Sequence, residues 1–264
     1  MIRDKLLLDV GGTFIKCSDG REIPVDSAGT REQIAGALKE GVGDAEEVAV
    51  AIPGPFDYKN GIFLMQHKFA AVYGEHFADL TCSGARFRFI HDVNAMLLGE
   101  MVSGAGSAYR RVALVTLGTG LGFSMSIDGK ILKSDSGSPK VSVWNLPWKD
   151  GILEDYASKR GFLRGFEGVS VKDLADRARN GDAAAAARFR DVGSTLAAAL
   201  TPILAQWGIE CLLFGGQISR SFDLFGPAVI AGCEENTLPL KHIGPVSDIS
   251  NATFNGLKSL LQLR

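Results

Sequence analysis

The chain has 264 residues, 46% hydrophobic and 22% charged, with a formal net charge of −2. That make-up suits a globular protein with room for one large domain or two smaller ones, and two lobes are the preferred reading. A nearly neutral balance without a dense lysine-arginine stripe argues against nucleic acid as a partner. No apolar run approaches the roughly 20 residues that cross a bilayer, and Met1-Ile2-Arg3-Asp4 leads into the first strand without a signal peptide, so a cytoplasmic protein is expected.

The first strong pattern is Leu6-Leu7-Leu8-Asp9-Val10-Gly11-Gly12-Thr13-Phe14-Ile15-Lys16. It reads as an apolar strand that delivers Asp9 to its end, a two-glycine turn, and a second strand carrying Thr13 and Lys16. Such a turn lets backbone approach a ligand and aim bare N–H groups at a phosphate; it also fits a plain hairpin whose glycines supply positive φ. Glu22-Ile23-Pro24-Val25 reads as a third strand. Thr30-Arg31-Glu32-Gln33 is a capping-box pattern opening a helix that Gly41 should end. Val48-Ala49-Val50-Ala51-Ile52 has the continuous apolar character of a strand buried on both faces, and it empties into Pro53-Gly54-Pro55, where ligands sit in α/β folds. Residues 60–85 carry no clear period beyond a turn at Tyr58-Lys59-Asn60-Gly61.

Phe87-Arg88-Phe89-Ile90 alternates like a strand and ends at His91-Asp92, just before a helical stretch. Asp92 at that junction is either a helix cap or a carboxylate presented for chemistry. The opening pattern then returns: Val112–Leu117, the turn Gly118-Thr119-Gly120-Leu121-Gly122, and an alternating strand closed by Asp128-Gly129. Two copies suggest a duplicated domain with one phosphate loop per half. A long amphipathic helix follows from Asp182 past Pro202, where a kink is expected. Cys211–Phe214 is another buried strand ending in a third glycine turn, Gly215-Gly216. Thr253–Leu263 reads as a closing helix. Cys17, Cys82, Cys211 and Cys233 show no metal or disulfide spacing and read as reduced, mostly buried thiols.

Three glycine turns favour a nucleotide polyphosphate, yet neither the P-loop pattern nor the dinucleotide fingerprint is present. Taken together, Asp9–Lys16, Ile52-Pro53-Gly54-Pro55, Asp92-Val93-Asn94-Ala95 with Gly99-Glu100, Leu117–Gly122 and Leu153-Glu154-Asp155-Tyr156-Ala157-Ser158 resemble, in order, the motifs of the ROK family of repressors and sugar kinases. The resemblance implies an α/β, actin-like ATPase (ribonuclease H-like) fold: two lobes with mixed sheets, 1–109 completed by a helix at 250–264, and 110–249, with ATP and sugar in the interlobe cleft. It implies that Asp9, Gly11, Gly12, Thr13 and Lys16 form the first phosphate loop, with Asp9 near Mg²⁺, that Gly118, Thr119 and Gly120 form the second, and that Gly215 and Gly216 hold adenosine. Asp92 matches the base that takes a proton from the sugar 6-hydroxyl, and Gly54, His91, Asp135, Ser138 and Glu154 fall at substrate-binding positions.

The departures bear on the substrate. His91-Asp92 stands where the family has Asn-Asp, and Ser134-Asp135-Ser136-Gly137-Ser138-Pro139 replaces the family's Gly-Glu-x-Gly-His. Residues 140–148 contain no cysteine, so no structural zinc is expected. Trp144 and Trp148 are expected to pack that stretch, with stacking on a sugar face as the alternative. The sequence therefore predicts an ATP- and magnesium-dependent kinase of a hexose or amino-hexose. The alternative is a sugar- or nucleotide-sensing relative without catalysis. Relatives that dimerise leave a homodimer open.

Overall fold

The computed structural model describes residues 5–262. Residues 1–4, read above for a signal peptide, and Leu263, expected in the closing helix, lie outside the described residues. The described residues form two compact units: one of residues 5–102, 133–140 and 250–262, the other of 103–132 and 141–249.

In the first unit β1 (Lys5–Val10), β2 (Phe14–Cys17) and β3 (Glu22–Pro24) form an antiparallel meander, and β4 (Glu47–Ile52) extends it parallel to β1. Between β3 and β4 runs α1 (Arg31–Val42), whose capping box closes as expected, with Thr30 accepting from the Gln33 N–H. Gly41 does not end this helix: it lies buried in the last turn against Ile15, and Gly43, at φ +54°, makes the stop. The stretch without a period forms a hairpin, β5 (Phe56–Asp57) with β6 (Ile62–Phe63), a 3₁₀ turn at Ala70–Val72 and the short α2 (Phe77–Thr81). Aromatic packing orders it, with Phe63 meeting both Phe69 and Phe77 and Phe77 reaching Phe87 and Phe89. β7 (Arg86–His91) then completes the order β3-β2-β1-β4-β7 and passes straight into α3 (Asp92–Ser103).

The second unit repeats this order. β8 (Arg111–Leu117) and β9 (Leu121–Ile127) pair antiparallel, and the Asp128-Gly129 turn, with both φ positive, leads to β10 (Lys130–Ile131). A small hairpin of β11 (Pro147–Trp148) and β12 (Gly151–Ile152) precedes α4 (Leu153–Ala157), α5 (Lys159–Leu163) and α6 (Val171–Arg179). α7 (Ala183–Trp207) is one 25-residue helix that Pro202 does not end. β13 (Cys211–Gly215), α8 (Phe222–Glu235) and β14 (His242–Pro245) finish a sheet ordered β10-β9-β8-β13-β14, with the same pattern of antiparallel and parallel pairs as the first. The duplication expected from the repeated glycine turns is thus present in the topology. α7 and α8 lie close because Gly193 faces the Phe225 carbonyl and Gly232 faces Ala197, where side chains would collide.

α9 (Ala252–Gln262) belongs to the first unit. Strand β4 is apolar throughout because Val48, Val50 and Ile52 join the core beneath α1, whereas Ala49 and Ala51 pack with Ala95 and Leu257 on the α9 side. The expected burial of thiols holds in the main: Cys17, Cys211 and Cys233 are buried, Cys82 is exposed, and none of the four is in a disulfide.

Candidate active site

In the first unit the parallel strands β1, β4 and β7 carry Asp9, the Pro53-Gly54 turn and His91-Asp92 to their carboxyl ends, where α/β sheets place ligands. Asp9 lies opposite Lys16 in the β1–β2 register, so the two side chains share a face. The turn between them does not need positive φ at either glycine. Gly11 instead donates its N–H to the Phe14 carbonyl at 2.9 Å, which an added Cβ would approach to 3.0 Å, and Gly12 lies against Ser27 and the Lys68 side chain. These glycines serve close packing of backbone, not handedness.

Asp92 opens α3, and its Oδ1 lies 2.8 Å from His91 Nδ1 and accepts the Val93 N–H at 2.7 Å. A protonated Nδ1 donates to Asp92; an unprotonated one accepts the Val93 N–H at 3.3 Å instead. Burial works against ionising Asp92, but His91, the Val93 N–H and Lys68 outweigh it and hold the carboxyl below the usual carboxylate range. Asp9 behaves oppositely: burial first, then the Asp92 charge, push it up to about 7 against the pull of Lys16. One carboxylate is therefore kept ionised at the expense of its neighbour.

Gly54 marks where several groups converge: a Cβ there would lie 3.3 Å from the Tyr58 hydroxyl, 3.4 Å from the His91 ring and 3.4 Å from Ser138 Oγ. The 133–140 loop reaches this point by two bonds within the unit, the Tyr58 N–H to the Ser136 carbonyl at 3.2 Å and Asn94 Nδ2 to the Gly137 carbonyl at 3.1 Å. Gly137, at φ +92°, lies against the Tyr58 ring. Hydroxyls of Ser134, Ser136 and Ser138 form a chain along the loop, at 3.0 and 3.3 Å, while Asp135 is exposed. Tyr58, Lys68 and Asn94 were not singled out from the sequence. Tyr58 sits in what reads only as a turn, and the other two meet the site through contacts remote in the chain.

In the second unit the two remaining glycine turns are neighbours, because β8 and β13 pair with Thr116 opposite Gly215. Gly216, at φ +81°, lies so near the Leu117 backbone that a Cβ would collide with its carbonyl. Glu154 fastens the Gly118–Gly120 turn: Oε2 accepts the Leu121 N–H at 2.9 Å and lies 2.9 Å from where a Gly120 side chain would begin, while Oε1 accepts from Arg160 at 2.8 Å. The Lys159 N–H donates to the Gly118 carbonyl. Thr119 is exposed on this turn. The tryptophans separate: Trp148 packs against the unit's core, whereas Trp144 is 47% exposed, contrary to the expectation that both pack.

Two mixed sheets of identical order, each ending in a glycine turn, define the actin-like ATPase fold, and comparison with solved structures agrees. A ROK family glucokinase from Streptomyces griseus, solved with glucose and AMPPNP, superposes with a TM-score of 0.79 at 22% identity, covering 97% of this chain and 98% of that one. A ROK family transcriptional regulator, a homologue of the E. coli MLC protein, gives 0.78 at 18% identity, covering 98% of this chain and 78% of that one. In sequence, the chain is 30% identical over 221 residues to a glucokinase of Thermotoga maritima, covering 70% of this chain and 69% of the relative, and the ROK family model matches residues 28–139. The chain belongs to the ROK family.

Proposed function

We propose that the protein is an ATP-dependent kinase that transfers the γ-phosphoryl group to a hydroxyl, the 6-hydroxyl in our reading, of a hexose or amino-hexose. The observation that carries this reading is the pair of carboxylates at the ends of β1 and β7, with Asp92 held ionised beside His91 and Asp9 lifted to about 7. The names of its relatives support the same class of reaction.

Phosphoryl transfer passes through a loose transition state, so catalysis is mostly positioning and charge neutralisation. Asp92 orients the acceptor hydroxyl and takes its proton; because Oδ1 is engaged with His91 and the Val93 N–H, Oδ2 is the receiving atom. Gly54, Ser138 and the His91 ring line the acceptor side, with Asp135 on the same loop. The first unit's Gly11, Gly12, Thr13 and Lys16 and the second unit's Gly118, Thr119 and Gly120 are assigned to the phosphates, with Gly215 and Gly216 assigned to adenosine. Glu154 reads both as the prop of its glycine turn and as a ligand for sugar hydroxyls.

The donor set at Asp9 fits Mg²⁺. It offers hard oxygens and an unrelieved repulsion between two carboxylates, and Mg²⁺ needs only one or two carboxylates beside substrate phosphates. No cluster of three acidic, histidine or cysteine ligands is present among the described residues. When bound, the ion neutralises charge developing on the phosphates.

A panel of hexoses and amino-hexoses with ATP and magnesium, followed by ADP release, tests the proposal. A sugar-dependent rate is expected, with Asp92→Asn lowering it on the order of 10²–10⁴-fold. ATP or sugar binding without turnover would instead favour the sensing relative, a reading kept in view by the altered Ser134–Ser138 loop and the regulator of like fold.

A further inference from the structure

Behind α4, on the second unit, lies a cavity of about 440 Å³ with no part in the proposed reaction. Its walls include Trp148, Lys149, Tyr156, Arg164, Arg188 and Asp191, three cations against one acid. Among the described residues none of these three cations makes an ion pair. Two lie against one ring: Lys149 Nζ is 5.3 Å and the Arg164 guanidinium 4.3 Å from the Tyr156 centroid. The ring's π-electrons attract each of these cations. Lys149 is fixed there by a left-handed backbone at φ +51°, an uncommon conformation for a lysine.

The same walls contain two buried donors without acceptors, Trp148 Nε1 and Arg188 Nε. Buried N–H groups are rarely left unpaired, and two lining one cavity with three uncompensated cations describe a site that lacks its acceptor. We propose that this cavity binds a phosphate dianion, either free or carried on a small sugar. Two guanidinium forks, an ammonium and an indole N–H supply donors to the several oxygens of a phosphate group, and the volume admits more than the bare ion. The Tyr156 hydroxyl bonds to Asp150, so the ring is anchored at its far end. The site is separate from the glycine turns and stands whether or not the kinase reading does.

Calorimetric titration of the full chain with inorganic phosphate, and separately with glucose 6-phosphate, tests it, each in the presence of excess non-hydrolysable ATP analogue. Saturable binding is expected, weakened at least tenfold in the double variant Lys149→Gln, Arg164→Gln, whose side chains are exposed at the rim and whose loss leaves the fold and the basal kinase rate unchanged. Tighter binding of the sugar phosphate assigns the site to a phosphorylated sugar; equal binding assigns it to the free ion. No saturable binding of either probe, or affinities unchanged in the variant, would overturn the proposal. Because the variant touches no residue of the glycine turns, that result is distinct from a failure of the nucleotide assignment.

Discussion

Asp9 and Asp92 together set a pH signature. In the unfolded chain Asp9 titrates near its ordinary 3.8, and in the folded chain at about 7. Between those values the folded state holds a proton that the unfolded state has released, so stability falls as pH rises through the window. Urea unfolding of the chain without nucleotide or metal should show decreasing stability from about pH 5 to about pH 8. Asp9→Asn should remove that component, and Asp92→Asn should reduce it by deleting the second cause of the shift. A slope unchanged in Asp9→Asn would refute the assignment. The sequence places both carboxylates at strand ends, but not their opposite protonation behaviour. That behaviour depends on the His91 ring, the Val93 N–H and Lys68, the last from the segment in which no period is visible.

At the scale of elements, glycines carry much of the packing, and two of them make opposite predictions. Gly256 in α9 faces the Ala95 carbonyl and the Gly99 N–H of α3 so closely that a Cβ would overlap backbone. Gly36 in α1 is exposed, with open space where its Cβ would stand. Alanine favours a helix over glycine by about 1 kcal/mol, but overpacking costs about 1–3 kcal/mol or more. Gly36→Ala should therefore raise the urea midpoint and Gly256→Ala lower it; a rise in both would show that α9 does not dock as described. The strands and long helices were legible because their periods are local. The extent of α1 was less so, since Gly41 reads as a stop until Ile15 is seen against it. Residues 60–85 were illegible for a related reason: their order comes from phenylalanines meeting others far along the chain.

At the scale of the whole molecule, the twofold repeat of sheet order accounts for what the sequence conveyed best, a glycine turn at the head of each half. The family motifs extended that reading to the fold, while the loop at 134–139 departs from the family pattern. If both halves hold nucleotide, a non-hydrolysable ATP analogue at about 100 times its dissociation constant should stabilise the chain by about 2.7 kcal/mol. Alanine for Gly216 should abolish most of that gain through strain at φ +81° and collision with Leu117. An unchanged melting temperature for the unsubstituted chain on adding the analogue would count against nucleotide binding.

The loop of residues 133–140 leaves the second unit's sequence and lies in the first, and its neck is closed by an antiparallel bridge between Lys133 and Pro139. Its tip touches the first unit through the Ser136 and Gly137 carbonyls, main-chain groups that exist whatever side chains flank them. The Ser138 hydroxyl that faces Gly54 is thus carried on a cassette with its own clasp. Residues 134, 135, 136 and 138 are open to exchange by evolution or by grafting while both sheets stay intact, with Gly137 alone fixed by its left-handed turn against Tyr58. On the proposed reading of this loop as the acceptor side, a change of acceptor requires no new fold, only a new tip on an old clasp.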